Sequence, residues 1–424
     1  MSVPPRIEDL LRELAPQVLG ALTRRYGHFD LAEEAVQEAL LAAATQWPGQ
    51  GVPENPPGWM TTVATRRMTD LLRSEQARRR REQQEALRAL PGDLLAPAAD
   101  AAPAEDADDS LLLLFMCCHP ALNPPAQVAL TLRAVGGLTT AEIARALLLP
   151  EATLAQRITR AKKRIVEAGG RFRMPGEQDR TRRLDVVLHV LYLIFNEGYT
   201  ATSGESLHRG ELCAEAIRLA RMVHRSLPDV PEVNGLLAEM LLTDARRPAR
   251  IGPDGELVPL AEQDRGLWNR SMIDEGIALL TAALPRRRPG PYQLQAAIAA
   301  VHAEAPRFED TDWAQIVALY EVLDRLADNP VVTLNRAVAV AMLNGPAAGL
   351  ALLEKAARDQ RMAGHHRPHA VRGHLLEQAG DKAAAVAEYR TAARLTTSLP
   401  ERRYLLTRAA RLDGTDGNPA PPGP

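Results

Sequence analysis

Apolar positions recur at helical spacing along most of the chain, and the pattern is tightest from Leu138 to Ile165, LTTAEIARALLLPEATLAQRITRAKKRI. Thr139 and Glu142 stand at capping-box spacing, which predicts a helix start. Ile143, Ala144 and Leu147 give that helix one apolar face. Pro150 stands where a second helix begins, a place where its missing N–H costs nothing. In the second helix Leu154, Ile158, Ala161 and Ile165 repeat at i, i+4, i+7, i+11 and predict a core stripe. Gln156, Thr159, Arg160 and Lys163 repeat on another face. The whole predicts a helix-turn-helix. Its polar face has the chemistry of the major groove: Gln pairs with adenine, Arg or Lys with guanine, and Thr serves either or touches a thymine methyl. Arg157, Lys162 and Arg164 flank it and suit phosphates. A solvated basic face would carry some of these residues, but cap, turn, stripe and polar face agree within one short segment.

Upstream, residues 6 to about 48 read as two helices, the second capped by Asp30. Leu31, Ala35, Leu40 and Leu41 give it apolar surface, and Glu33, Glu34, Gln37 and Glu38 form an acidic side for which plain solvation is the simplest account. After a Gly/Pro-rich turn at Gly49–Pro57, GWMTTVATRRMTDLLRSEQARRRRE combines Trp59, Val63, Met68, Leu71 and Leu72 with Arg66, Arg67, Arg73 and the run Arg78 to Arg81. Basic residues beside an aromatic and several threonines suit a nucleic-acid backbone with exposed bases, or else form a basic solvated helix end. From Glu82 to Ser110 the chain is rich in Ala, Pro and acids and reads as a flexible acidic linker. LLLLFMCCHPAL, from Leu111, is an apolar helix ending near Pro120, and Pro124 and Pro125 open the next one.

Beyond a Gly-containing joint at Gly169–Asp179 the pattern is helix after helix. Leu184 to Ile194, Leu212 to His224, Val233 to Leu242, Met272 to Ala283, Tyr292 to Ala305 and Trp313 to Ala327 are all amphipathic. IGPDGELVPL, Ile251 to Leu260, predicts a small hairpin around Pro253-Asp254-Gly255. Pro419–Pro424 predicts a disordered tail.

Composition narrows the class. With 424 residues there is room for two to four domains. Hydrophobic residues make up 46% but aromatics only 4%, the balance of an all-α protein packed on small aliphatic side chains. The net charge of −2 hides segregated basic and acidic segments. Three cysteines, Cys117, Cys118 and Cys213, argue against a disulfide framework and fit a reducing cytoplasm. No stretch has the roughly 20 apolar residues that span a bilayer, so no membrane association is expected. Cys117, Cys118 and His119 cannot all face one ion from adjacent helical positions, and they read as buried small residues. Asn196, Glu197, Tyr199 and Ser203, and the cluster His365, His366 and His369, read as packing or capping groups. No catalytic residue, metal or cofactor is expected.

Three segments in this order resemble a bacterial sigma factor of the extracytoplasmic-function type, reduced to regions 2 and 4. AEEAVQE, Ala32 to Glu38, is similar to the region 2.2 motif AED-L-V-Q-E. The resemblance therefore implies that Asp30, Glu33, Glu34, Gln37 and Glu38 bind core RNA polymerase at the β′ clamp helices. WMTTVATRRMTDLLR, Trp59 to Arg73, is similar to the region 2.3–2.4 motif W-L-x-x-I-A-R-N-x-x-x-D-x-x-R, with Trp59, Ala64, Asp70 and Arg73 in place. Thr65 and Arg66 stand where the commoner pattern has Arg and Asn. This implies that Trp59, Thr62, Arg66, Arg67, Asp70 and Arg73 melt and read the −10 element. Region 4.2, E-I-A-x-x-L-x-x-P-x-x-T-V-x-x-R-x-x-R-A, is matched by Glu142, Ile143, Ala144, Pro150, Thr153, Arg157, Arg160 and Ala161. This implies −35 recognition by Thr153, Gln156, Arg157, Thr159, Arg160 and Lys163, with the β flap as region 4's polymerase partner.

FMCCHPAL followed by LIFNEGYTATSGE resembles the subgroup with a long C-terminal extension like tetratricopeptide repeats, thought to regulate the factor. GDKAAAVAEYRTAARL, Gly380 to Leu395, looks like half such a repeat, with Gly380, Ala385, Tyr389 and Ala392 in place. Asn329 to Ala356 is a weaker match. Stacked helix pairs leave a concave surface for a protein or peptide ligand. The expected organisation is region 2 at 5–82, an acidic linker at 83–109, region 4 at 110–170, the helical extension at 180–412 and a tail at 413–424. The rival reading is a conventional helix-turn-helix regulator with a repeat-like sensor, which would need neither the Ala32–Glu38 nor the Trp59–Arg73 segment.

Overall fold

The computed structural model describes residues 7–86, 110–147, 149–168, 177–201, 204, 207–252, 256–283, 289–327 and 329–414. Among these the regular structure is α-helix with short 3-10 turns, in two compact units, Met1–Val190 and Leu191–Pro424.

The first unit begins with α1 (Ile7–Tyr26), α2 (Phe29–Gln50) and α3 (Pro56–Ala86), which pack on one another. Their shared core is Leu14, Val18 and Leu22 of α1, Ala35, Val36, Ala39 and Ala43 of α2, and Met60, Ala64 and Met68 of α3. The alanine column lets α2 lie close to its neighbours, and the larger residues supply the buried area, at about 1.5–3 kcal/mol for each large side chain. Trp47 meets Trp59 edge to face, with ring centroids 5.4 Å apart.

α4 (Ser110–Cys117) is buried along its whole length, against α5 (Pro124–Ala134) and α1. Asn123 caps α5, accepting from the Ala126 N–H at 3.1 Å, and proline follows at the first helical position. α6 (Thr140–Ala146) carries the expected capping box: the Thr139 hydroxyl accepts from the Glu142 N–H, and the Glu142 carboxylate accepts from the Thr139 N–H at 2.7 Å. α7 (Glu151–Glu167) buries Leu154, Ile158, Ala161 and Ile165, the expected stripe, against α5 and α6. Pro150 is the residue before the first turn rather than its first member.

Two local expectations differ. Asp30 does not cap α2; His28 holds that position, and Asp30 lies in the first turn, where a carboxylate suits the helix dipole. α3 continues to Ala86, so the acidic linker expected at 83–109 starts inside it; residues 87–109 lie outside the described residues. Most of the joint at Gly169–Asp179 lies outside them too, as do Ser203, Pro253 to Gly255 and the tail from residue 415.

α8 (Glu177–Tyr199) crosses the division and takes in Asn196–Gly198. The second unit continues with α9 (Gly210–Ser226), α10 (Pro231–Asp244), α11 (Arg270–Ala283), α12 (Pro291–Glu304), α13 (Trp313–Leu326), α14 (Pro330–Asn344), α15 (Pro346–Ala357), α16 (His366–Gln378), α17 (Lys382–Leu395) and α18 (Leu399–Leu412). From α9 to α18 each helix packs on the next in sequence. Glycine makes some crossings tight: a Cβ at Gly349 of α15 would lie 2.6 Å from the Ala341 Cβ of α14, and one at Gly373 of α16 would lie 2.9 Å from the Tyr389 ring of α17. Around the expected hairpin the flanks pair antiparallel, Gly252 N–H donating to Glu256 at 3.0 Å and Val258 N–H to Arg250 at 2.9 Å. No helix among the described residues is long and apolar enough to cross a membrane.

Candidate nucleic-acid interface

α7 presents its expected recognition face to solvent. Thr153, Gln156, Thr159, Arg160 and Lys163 are exposed, and Arg157 is half-buried at the margin. The buried stripe fixes this outcome, because on a 3.6-residue helix packing one face turns the opposite one outward. Local contacts there are weak: the Thr159 hydroxyl donates to Ala155 O at 3.0 Å, and Lys163 meets Glu167 at 3.7 Å, both in solvent.

Of the six residues resembling the −10 reader, Trp59, Thr62 and Arg66 line a cavity of about 470 Å3 together with Asn55, Gly58 and Val63, while Arg67, Asp70 and Arg73 lie outside that lining. Trp59 is half-buried, braced by Trp47, while Thr62, Arg66, Asp70 and Arg73 are exposed. An aromatic ring, a hydroxyl and a guanidinium around an open hollow can stack an unpaired base and hold its phosphate. Sequence reasoning missed Asn55 and Val63 as part of this wall. Asn55-Pro56-Pro57 reads in sequence as turn, yet Asn followed by Pro is also a helix start: the Asn55 side chain accepts from the Gly58 N–H at 3.0 Å.

The acidic side of α2 is divided by the fold. Glu34 and Glu38 are exposed and Gln37 is half-buried, but Glu33 is buried. Arg133 Nε of α5 donates to Glu33 Oε1 at 2.7 Å, and Lys162 Nζ of α7 donates to Glu33 Oε2. Lys162 also lies 3.3 Å from Asp30 and 5.6 Å over the Phe29 ring. Lys162, expected to flank the recognition face as a phosphate contact, thus points inward, its side chain only 17% exposed. Arg133 was not among the expected functional residues; a lone arginine in an apolar helix carries no signal of its partner. Glu38 is paired with Arg67 of α3 at 2.7 Å, so an acid and a base expected to meet different partners meet each other.

Cys117 lies close beneath this cluster. Burial pushes its thiol well above the ordinary value, with Cys118 and Glu33 adding to the rise and Lys162 opposing it. Burial pushes Cys118 up to about 12, against the opposing Thr131 hydroxyl 3.8 Å away. These thiols are neutral packing groups, not nucleophiles. Each member of the other histidine cluster has a local partner: His365 stacks on His366, which meets Glu401 at 3.1 Å, and His369 meets Glu388 at 2.7 Å. No group of three or more His, Cys, Asp and Glu among the described residues could hold a metal ion.

Comparison with known proteins agrees with this layout. Residues 10–78 match the family described as sigma-70 region 2, and residues 112–165 match sigma-70, region 4. Residues 183–284 match a family of unknown function, DUF6596. An uncharacterized protein of Rhizobium meliloti (strain 1021) is 44% identical over 423 residues, covering 98% of this chain and 97% of its own length. Regions 2 and 4 imply binding of core RNA polymerase and promoter DNA, and they do not belong to an enzyme family. The chain therefore belongs to the sigma-70 family, as a sigma factor carrying a C-terminal extension.

Proposed function

We propose that the chain is a sigma factor of the extracytoplasmic-function type, acting in the cytoplasm on core RNA polymerase, with a helical extension that regulates it. The observation that carries this reading is the pairing, in one unit, of a Trp59 cavity with the solvent-facing polar row of α7. A conventional helix-turn-helix regulator needs the second and not the first. Region 2 and region 4 are matched with few residues between them, which supports the reduced, two-region type.

In this reading Glu34, Gln37 and Glu38 meet the β′ clamp helices and region 4 meets the β flap. Trp59, Thr62, Arg66, Arg67, Asp70 and Arg73 hold the melted −10 strand. Thr153, Gln156, Arg157, Thr159, Arg160 and Lys163 read the −35 duplex. Asp30 and Glu33 belong to the polymerase contact but are engaged by Lys162 and Arg133, so polymerase and region 4 compete for the same carboxylates. The extension, a stack of helices each packed on the next, offers a surface of tetratricopeptide type to a protein or peptide ligand.

The test is run-off transcription with bacterial core polymerase and DNA from upstream of the chain's own operon. A discrete transcript that Glu34→Lys removes supports the reading. A specific shift of duplex DNA with no core binding and no transcript would replace it with the conventional regulator. Truncation after about residue 170 tests regulation: transcription identical to that of the full chain would remove the regulatory role.

A further inference from the structure

In the second unit α14 packs chiefly on α15, and α16 chiefly on α17. α14 also meets α16, and Arg408 of α18 donates to the Glu377 carboxylate of α16 at 2.6 Å, so α14, α16 and α18 form one row. Stacks of helix pairs bind ligands along such a face.

This row is not bare. The segment Val258–Trp268, between α10 and α11, reaches across it. Pro259, Leu260 and Ala261 border a cavity of about 330 Å3 together with Val338 and Met342 of α14 and Gln378 of α16. Glu262 lies 3.7 Å from Arg408 Nη1 of α18. Both ends of the segment are anchored. Val258 N–H donates to Arg250 O at 2.9 Å. Trp268 is buried among Ala238, Leu242 and Ile273, and Arg265, over its ring at 4.6 Å, donates to His302 O at 2.5 Å and Ala305 O at 2.6 Å. The turn between is lightly held. Its Glu262 N–H donates to Pro259 O at 2.9 Å and its Gln263 N–H to Leu260 O at 3.4 Å, both within the turn. Leu260 is half-buried, Ala261 and Glu262 are exposed, and an ion pair so open to water holds little.

The turn displays what this face accepts: an apolar side chain and, two residues on, a carboxylate, with the backbone between them left in water. Arg408 is prepared for the carboxylate, because Glu377 holds its Nη2 while its Nη1 faces Glu262. Leu260 borders the cavity without filling it. Phe308, Trp313 and Tyr320 line the same space, so a ring or a longer aliphatic chain in place of Leu260 would bury apolar surface that leucine leaves exposed. A backbone kept in solvent brings no unpaired amide to the wall.

We propose that the Pro259–Glu262 turn is an internal occupant of a peptide site on this row, and that the site's partner is an acidic peptide in which an aromatic or large aliphatic side chain is followed two residues on by a carboxylate. Binding lifts the turn: the partner's apolar side chain enters the cavity and its carboxylate replaces Glu262 at Arg408. The inference rests on the reading that the extension takes a protein or peptide ligand, and it names that ligand's chemistry and the contact that holds it off.

The test uses the full chain and a fluorescein-labelled peptide with the sequence of residues 257–264 carrying phenylalanine at the place of Leu260, LVPFAEQD. Anisotropy should show saturable binding that weakens about tenfold when the peptide's glutamate is replaced by glutamine. A chain with Leu260→Ser and Glu262→Ser, which releases the turn, should bind the peptide about tenfold more tightly than wild type, since the closed turn reduces apparent affinity by the open fraction. Hydrogen exchange on the wild-type chain needs no variant to fold: saturating peptide should speed exchange in Val258–Asp264 and slow it in α16. No saturable binding to either chain, equal affinity for the glutamate and glutamine peptides, equal affinity of wild type and a folded double variant, or unchanged exchange in the turn would each overturn the proposal. Identical transcription by the truncated chain would remove the regulatory role proposed above and leave these binding outcomes standing.

Discussion

Arg133 Nε donates to Glu33 Oε1 at 2.7 Å across 100 residues of sequence, and joins the helix-turn-helix half of the first unit to its acidic helix. The Glu33 side chain is only 7% exposed, so its charge has few substitutes for Arg133 and Lys162. Removing one partner of a buried pair strands the other charge, at a cost of about 3–5 kcal/mol. Arg133→Met should accordingly destabilise the first unit by roughly 3 kcal/mol in denaturant melts. Glu33→Gln combined with Arg133→Met should cost less than the two single changes together, by about 1 kcal/mol or more. Strict additivity would mean that the two side chains are not coupled in solution.

Competition for Glu33 has a second consequence. Lys162→Met frees one oxygen of that carboxylate and also Asp30, without touching the exposed row of α7. It should tighten binding to core polymerase, since a closed population reduces apparent affinity by the competent fraction. Glu33→Gln should not tighten it. Equilibrium binding of labelled core decides between them, and equal affinities for wild type and Lys162→Met would remove Glu33 from the polymerase contact.

Arg160 stands on the solvent face of α7. Arg160→Ala should cost about 1–3 kcal/mol on cognate −35 DNA and relax base preference at one position. Anisotropy titrations on a set of single-base variants would show this; uniform weakening on every duplex would make Arg160 a phosphate contact instead.

At the Trp59 cavity, stacking of one unpaired base is worth about 1–3 kcal/mol. Trp59→Ala should lose that much affinity for single-stranded −10 DNA, and it also loses its packing on Trp47. Thr62→Val keeps the shape and removes a hydroxyl that donates to Gly58 O at 2.8 Å. It should shift base preference while the melting temperature stays within a degree or two. Unchanged preference across the four bases would place Thr62 outside the reading surface.

Glu239 of α10 is buried with Oε2 unpartnered among the described residues, and burial pushes its carboxyl from 4.5 up to about 8, against the opposing charge of Arg246. Between those values the folded chain holds a proton that the unfolded chain has released. Stability from this group is therefore full below about 4.5 and is lost as pH rises towards about 8, with a slope of at most about 1.4 kcal/mol per pH unit. Glu239→Gln should flatten that part of the stability profile. A wild-type chain equally stable at pH 5 and pH 8 would mean that Glu239 ionises freely.

What the sequence determined by itself is local. The Thr139–Glu142 box, the Leu154–Ile165 stripe and the proline after Asn123 involve neighbours within a few turns, and backbone geometry alone fixes which side chains share a face. The exposed row on α7 was legible for the same reason. Periodicity says which face is buried but not what is packed against it. Glu33, Glu34, Gln37 and Glu38 look alike in sequence, yet only Glu33 is enclosed, because Arg133 and Lys162 arrive from helices 100 and 129 residues away. The Arg67–Glu38 pair and the place of Asn55 in the Trp59 wall were likewise decided by tertiary structure. Each depends on which distant side chains share a low-dielectric space, and that is a property of packing rather than of order along the chain.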